Sequence, residues 1–480
     1  MNRVKTPQSR CRSAIGRCDI TPPIGIYHRM WGAAMHDQAT GVHRPLQATL
    51  LWLESLDSPS PDPHVVVSLD HCILDSSDLN AIRDAISKWT GAESQNCLIT
   101  LTHTHGSGWM SRSRSHLPGG EHIGPYLDDL VMRVADLAVQ VQDRVQEGTI
   151  VYGTGRCNLA AHRDFQDPQL NRFVCGFNPN GAADDTLVLA RIDDPHGQTV
   201  ATVVNYACHP TTLSWDNTLI SPDWIGAMRQ TIESAFGGTC LFLQGASGDL
   251  GPRHGFVGDT EVADRNGRIV GYAALSALEG MPPAGTEYRY TGAVTSGTSI
   301  GTWCHEPLDA ETLNRHRTYR WDRFVVELPY RHDLPTVMQS HTEREYWQEK
   351  ETQARHHGDE ITVRDCRAQV EQRTRQLARL DALVPGVAYP LEVQVGAIGD
   401  AIWLFLPGEL YQVFQTTLRH RFAPRPVLIA TLTNGWQPGY IPPAHAFGYG
   451  IYQEVIAATG AGCLEILIES ITRRIHELQL

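Results

Sequence analysis

Five apolar runs in this chain end in residues able to do chemistry. LITLT runs into His103-Thr104-His105-Gly106, VVNYAC into His209-Pro210-Thr211-Thr212, and CLFL into Gln244-Gly245-Ala246-Ser247-Gly248-Asp249. AIWLFL stops at Pro407-Gly408-Glu409, and VLIATL leads through Thr433-Asn434-Gly435 to Tyr440. Two or three imidazoles, a carboxylate and a phenol suit a zinc centre, because catalytic zinc takes about three protein ligands and keeps one position open. Zinc so held lowers the pKa of its bound water toward ~7 and polarises a carbonyl. His103 and His105 stand two apart where a strand should end, and an extended chain would turn both to one side. Both could ligate, or one could ligate while the other moves protons. Asp249 has a plainer reading as the residue that orders its glycine loop. Glu409 has one too, as an acid at a helix start.

The elements that must position these residues alternate in type. HVVVSLDHCIL (64–74) and NCLITLTH (96–103) read as buried strands, with a helix between them carrying Leu79, Ile82, Ile86 and Trp89 at helical spacing. Strand, helix and strand make a βαβ unit, so the two strands should be parallel. A helix is expected over about 125–146. TLVLARIDD and TVATVVNYACH (199–209) flank a PHG turn as a hairpin would. The stretch 221–238 predicts a helix with a serine N-cap and a proline in its first turn. A strand at 239–249 comes next, then punctuation at MPPAGT (281–286). Residues 340–384 are charged with helical period and read as a solvated helical excursion. The alternating pattern returns at 390–414 as a hairpin and a helix, and the chain closes on an amphipathic helix.

Composition narrows the functional class. Hydrophobic residues make up 41% and charged residues 19%, as in a globular protein. A net charge of −13 leaves no basic footprint for nucleic acid. No apolar stretch reaches the ~20 residues of a membrane span, and no apolar region follows the basic N-terminus. Eleven cysteines without C-x-x-C spacing favour reduced thiols, and Cys72, Cys97, Cys208 and Cys240 read as core filler. A cytoplasmic protein with a small-molecule substrate is expected, without nucleic acid or stable membrane association; homo-oligomer formation stays open.

Seven ordered segments carry a resemblance. DITPPIG (19–25), GVHRPLQATLLWLE (41–54), LTHTHG (101–106), NYACHPTTL (205–213), LFLQGASGDLGP (241–252), LPGEL (406–410) and TNGWQPGYIPP (433–443) resemble the neutral/alkaline non-lysosomal ceramidase family, in particular its catalytic N-terminal domain. The likeness covers about 14–282 and 390–480 and is weakest over 286–389. It implies an α/β fold of mixed β-sheets flanked by helices. It also implies one ceramidase-like domain over 1–480 with a partly helical excursion at about 286–389; the C-terminal immunoglobulin-like domain that the family carries is not expected here. The activity implied is hydrolysis of an N-acyl amide with one zinc ion per chain and metal-bound water as the nucleophile. Carried over by position, His103, His209, Glu409 and Tyr440 would be the metal ligands and His105 the neighbouring acid/base. Arg163, in NLAAHRDF, would face the substrate.

Departures from the family pattern concern substrate recognition. The span 251–267 contains no serine where family members have one, and the HTH motif runs into Gly-Ser-Gly-Trp and a basic stretch. A small N-acyl compound is therefore the expected substrate, with Arg112 and Arg114 as candidate anion readers. Two alternatives are zinc chemistry on an ester or glycosidic bond, and a non-catalytic binding protein of the same fold.

Overall fold

Runs of Val, Ile and Leu without polar alternation specify strands covered on both faces. In the computed structural model, which describes residues 2–57 and 62–479, such runs form two stacked mixed sheets. The larger contains β1 (Gln8–Asp19), β2 (Gln47–Glu54), β3 (His64–Leu69), β4 (Cys97–Leu101), β5 (Gln146–Arg156), β6 (Thr186–Asp193), β7 (Thr199–Tyr206) and β8 (Thr239–Gln244). Their spatial order is β8-β7-β6-β5-β1-β2-β3-β4. The smaller sheet contains β9 (Tyr319–Pro329), β10 (Ala388–Ile398), β11 (Ala401–Phe405) and β12 (Val427–Ala430), side by side in chain order.

The main helices are α1 (Ser76–Thr90), α2 (Ile123–Gln142), α3 (Trp224–Phe236), α4 (Thr260–Glu279), α5 (Val337–His357), α6 (Glu360–Asp381), α7 (Gln412–Phe422) and α8 (Cys463–Glu477). The first four cover the outer face of the large sheet, while α7 and α8 cover that of the small one. Between the sheets, Leu51, Val66, Ile150, Val203 and Leu241 meet Trp403, Phe405 and Leu428 in a fully buried layer. The result is the expected α/β architecture of mixed sheets flanked by helices. Among the described residues, no helix is long and apolar enough to cross a membrane.

Three strand pairs in these sheets are parallel: β3 with β4, β7 with β8, and β11 with β12. Each is joined by a helix, α1, α3 or α7, as a parallel crossover requires. Their carboxyl ends converge because the large sheet coils back on itself. Ser68 Oγ on β3 donates to the Phe242 carbonyl on β8 at 2.7 Å, although the two strands lie near opposite edges. The chain leaving β12 fills the remaining gap. There Thr431 N–H donates to Gln244 O (2.9 Å), Leu101 N–H to Leu432 O (3.3 Å) and Asn434 N–H to Ile99 O (2.8 Å). In open α/β sheets such strand ends are where ligands bind.

Some local expectations need correcting. The strand expected to run to His103 stops at Leu101: Thr102 N–H still bonds Leu69 O at the end of β3 (2.9 Å), but His103 then takes a left-handed conformation that breaks the extended run. The α3 N-cap is Asp223, whose carboxylate accepts the Trp224 N–H at 2.7 Å, and not the serine two residues earlier. The charged stretch 340–384 does fold into helices α5 and α6, yet α6 is not simply solvated. Val363, Cys366 and Glu371 are buried, and Gly32 approaches Ala368 so closely that a Cβ would sit 3.3 Å from its backbone.

Candidate metal centre and its surroundings

His103, His209 and Glu409 arrive from the three parallel pairs and meet at one point. Their facing atoms are His103 Nε2, His209 Nε2 and Glu409 Oε2, separated by 2.9, 3.2 and 3.3 Å. His103 reaches this point with φ of +67°, a left-handed conformation that costs a non-glycine residue of order 1 kcal/mol or more. Its N–H bonds to His71 O at 2.9 Å, and its Nδ1 donates to Cys72 O at 2.8 Å. His209 donates Nδ1–H to Ser247 O at 3.0 Å. A carbonyl only accepts, so these bonds place a proton on each Nδ1 and turn both Nε2 atoms toward each other and a carboxylate. Three such atoms at these distances can share one cation, either a proton on His103 or a metal ion in its place. Burial alone would lower the His103 pKa, but Cys72 and Glu409 outweigh it and hold it above the usual imidazole range. Orientation of ligating histidines by carbonyls is the usual support for a metal.

Glu409 depends on two glycines. Gly408 takes φ of +87° to turn the chain out of β11. Gly248 lies so close that a Cβ would sit 2.8 and 2.9 Å from the carbonyl oxygens of Leu410 and Glu409. A short parallel ladder then pairs Glu409 with Tyr440, which sets the phenol beside the carboxylate. Asp249 does not face the cluster. It accepts the Gln412 N–H (2.7 Å) and side-chain amide (2.8 Å) at the start of α7, consistent with its loop-ordering reading.

His105 is not turned to the same side as His103 on a strand. It opens a short 3-10 turn, and the two rings stand 5.1 Å apart at 84°. Both His105 nitrogens are buried without a hydrogen-bond partner among the described residues. The ring packs 4.9 Å from Trp31 and 5.7 Å from His209. Trp31 in turn meets Trp215 at 6.2 Å and Phe256 at 5.6 Å, an aromatic rim on that side. Arg163 is buried, gives Nε and one terminal nitrogen to Gly248 O (3.1 and 2.6 Å), and holds its guanidinium carbon 5.4 Å from the Tyr440 ring centre.

The electrostatics follow from this crowding. Burial pushes His209 down to about 3, helped by the charges of Arg163 and His103. Burial likewise holds His105 well below the usual imidazole range, with His103 and His209 adding to it. For Glu409 burial acts the other way, but His103 and His209 outweigh it and keep the carboxyl well below normal. Burial holds Tyr440 well above the usual phenol value, so its hydroxyl keeps the proton it can donate.

Several neighbours escape a reading of the sequence alone. Cys72, expected as core filler, orients His103 through its carbonyl, and its Sγ is 3.5 Å from His103 Nδ1. Cys72, His103 and His105 also come together as potential ligands. The bond from His103 Nδ1 to Cys72 O commits that nitrogen as a donor, which favours the Nε2 cluster. The guanidinium carbons of Arg114 and Arg375 both lie over the Trp109 ring, at 4.5 and 4.4 Å from its centre. Arg112 and Arg114 are not free to read an anion. Arg112 bonds Asp78 (2.9 Å) and Asp128 (2.7 Å), while Arg114 bonds Glu371 at 2.8 and 3.2 Å. A cavity of about 850 Å³ behind Arg163 is lined by Asp164, Asp249 and Tyr411, but by none of the six candidate residues.

A family model of the neutral/alkaline non-lysosomal ceramidase N-terminal region matches residues 13–258. The crystal structure of neutral ceramidase from Pseudomonas aeruginosa superposes with a TM-score of 0.63 at 16% identity, covering 98% of this chain and 74% of that one. A ceramidase complexed with C2 superposes equally well, at 16% identity over 97% of this chain and 74% of its own. No curated protein matches the chain. These structures share the fold, and the family model spans half of the chain: it belongs to the neutral/alkaline non-lysosomal ceramidase family, whose members hydrolyse an amide bond.

Proposed function

We propose that this chain is a zinc-dependent hydrolase of N-acyl amides, with His103, His209 and Glu409 as ligands and Tyr440 beside or on the metal. One observation carries the reading: two imidazole Nε2 atoms and a carboxylate oxygen lie within 3.3 Å of one another while both Nδ1 atoms are committed to carbonyls. That donor set fits zinc, which favours imidazole nitrogen and carboxylate oxygen. Bound there, zinc would supply a Lewis acid for the amide carbonyl and a water activated as nucleophile.

The remaining chemistry belongs to side chains. An amide needs a proton on its departing nitrogen, because an amine anion is a poor leaving group. His105 is suited to deliver it. The ring adjoins the cluster, both its nitrogens lack a partner among the described residues, and burial keeps it neutral at rest, ready to accept a proton and pass it on. The Tyr440 hydroxyl can donate to the carbonyl oxygen as its charge grows, a contribution typically of a few kcal/mol. Arg163, fixed by the Gly248 carbonyl and lying over the Tyr440 ring, holds that phenol in position and adds positive charge.

The test combines metal analysis with a panel of matched amide, ester and glycoside substrates. About one zinc per chain together with amide hydrolysis is the expected result. A purified protein that takes up no zinc after reloading, or that cleaves only esters or glycosides, would overturn the reading.

A further inference from the structure

The excursion helix α6 carries two arginines toward the site, and they are treated differently. Arg375 is fully engaged. Its Nε bonds Glu371 at 2.7 Å, a terminal nitrogen bonds the Met30 carbonyl, and the guanidinium stacks on Trp109. Glu371 also answers Arg114 at 2.8 Å, so one carboxylate serves two guanidiniums. Arg379, one turn further on, forms no hydrogen bond or ion pair among the described residues. It lines a cavity of about 250 Å³ together with Arg331, Leu380, Val455 and Ala457. The one carboxylate in that lining, Asp333, is taken by Arg331 at 2.8 and 2.6 Å.

The short helix Tyr452–Ile456 links the unanswered Arg379 guanidinium to the metal centre, since Val455 and Ile456 line its cavity while Tyr452 reaches Tyr440. The Arg379 pKa is lowered to about 10, first by burial and then by Arg375, while Tyr452, Glu409 and Tyr440 pull it back up. It therefore stays charged at neutral pH within the field of the candidate machinery. Tyr452 stands at the start of that short helix. The residue is 44% exposed. Its ring meets Tyr440 edge-on at 5.7 Å. A partly desolvated, unpaired guanidinium is a strong receptor for an oxyanion, which it can bind through two parallel hydrogen bonds.

We infer that the substrate carries an oxyanion such as a carboxylate, and that Arg379 binds it beside Tyr452 while the amide lies at the His103–His209–Glu409 cluster. The substrate class is then an acidic N-acyl compound rather than a neutral one. This rests on the hydrolase reading for the position of the scissile bond, but the anion site itself does not.

The experiment uses the full-length, zinc-reloaded protein and two pairs of probes. N-octanoylglycine and its carboxamide put the charge on the amine half; N-octylsuccinamate and its carboxamide put it on the acyl half. Titration calorimetry gives the affinity ratio within each pair, and kinetics give the corresponding KM ratio. For one of the two pairs, at least a tenfold preference for the acid is expected, about the effect of a charge-assisted hydrogen bond. Arg379→Gln should abolish that preference and Arg379→Lys should restore part of it. Because Arg379 makes no hydrogen bond or ion pair among the described residues, both variants should be recovered folded, with their zinc. An acid preference below twofold in both pairs, or one unchanged in Arg379→Gln, would overturn the inference. An Arg379-dependent preference in calorimetry without any hydrolysis would sustain the anion site while removing the amidase reading.

Discussion

Strand ends form one wall of the site, and a helix of the excursion forms the other. On the first wall, positions are fixed by register and by glycines that admit no side chain, so Glu409 and Tyr440 face each other because two short strands pair. On the second wall, α6 is held by charge. Glu371 ties Arg114 and Arg375 together, and Arg367 pairs with Asp37. The apolar burial of α6 amounts to little more than Val363 and Cys366. The first wall should therefore fail all at once when a ligand is removed, whereas the second should loosen with acid.

The largest effect is expected on the strand wall. His103→Ala should release the metal and lower amide hydrolysis by roughly a thousandfold or more, since a bound Lewis acid supplies several kcal/mol to the transition state. Metal analysis alongside initial rates checks both halves. His105→Ala should keep the zinc and still lose about 10²–10⁴ in kcat, the range for a missing general acid. Metal loss in that variant would make His105 a ligand.

The helix wall comes next. Burial alone would raise Glu371, but Arg375 and Arg114 outweigh it and hold its pKa down to about 2 against an ordinary 4.5. A depressed carboxyl contributes its full stability above pH ~4.5 and loses it as pH falls toward 2, in all about 3 kcal/mol. Glu371→Gln should therefore cost about that much in denaturant melts at pH 7, and the gap to the wild type should narrow below pH ~4.5. A smaller change, of about 1–3 kcal/mol, is expected for Gly248→Ala, whose new methyl meets the Leu410 and Glu409 carbonyls. Arg112→Ala, at a half-exposed ion pair, should change stability by less than ~1 kcal/mol. A larger loss there would mean that the surface next to the site contributes more than its exposure suggests.

The same contrast decides what was legible in the sequence. Apolar runs that end in polar, glycine-lined loops are visible in one dimension, and the fold brings His103, His105, His209, Glu409, Tyr440 and Arg163 into one neighbourhood. The local geometry at His103 was not legible, because its left-handed turn is held by the carbonyls of His71 and Cys72, about thirty residues earlier in the chain. Cys72 acts on His103 mainly through its backbone carbonyl, which no side-chain pattern announces. Arg375 and Arg379 were hidden for a different reason. A helix that docks through ion pairs has the composition of a solvated one, and its single local hint is the Glu371–Arg375 spacing of one turn. Arg112 and Arg114 drew attention as the basic residues nearest the HTH motif, but proximity in sequence said nothing of the carboxylates waiting for them.

The convergence of three crossover units also governs how the protein is made. His209 follows His103 by 106 residues and Glu409 follows it by 306, so the metal pocket is among the most non-local features of the chain. Such long-range contacts form late, after many loops have closed. During synthesis, the segment matching the family model emerges with two imidazoles and no carboxylate to complete the trio. Under the proposed metal reading, tight zinc capture would be a checkpoint at the end of folding, and the metal content of a preparation would measure the fraction of chains that have finished.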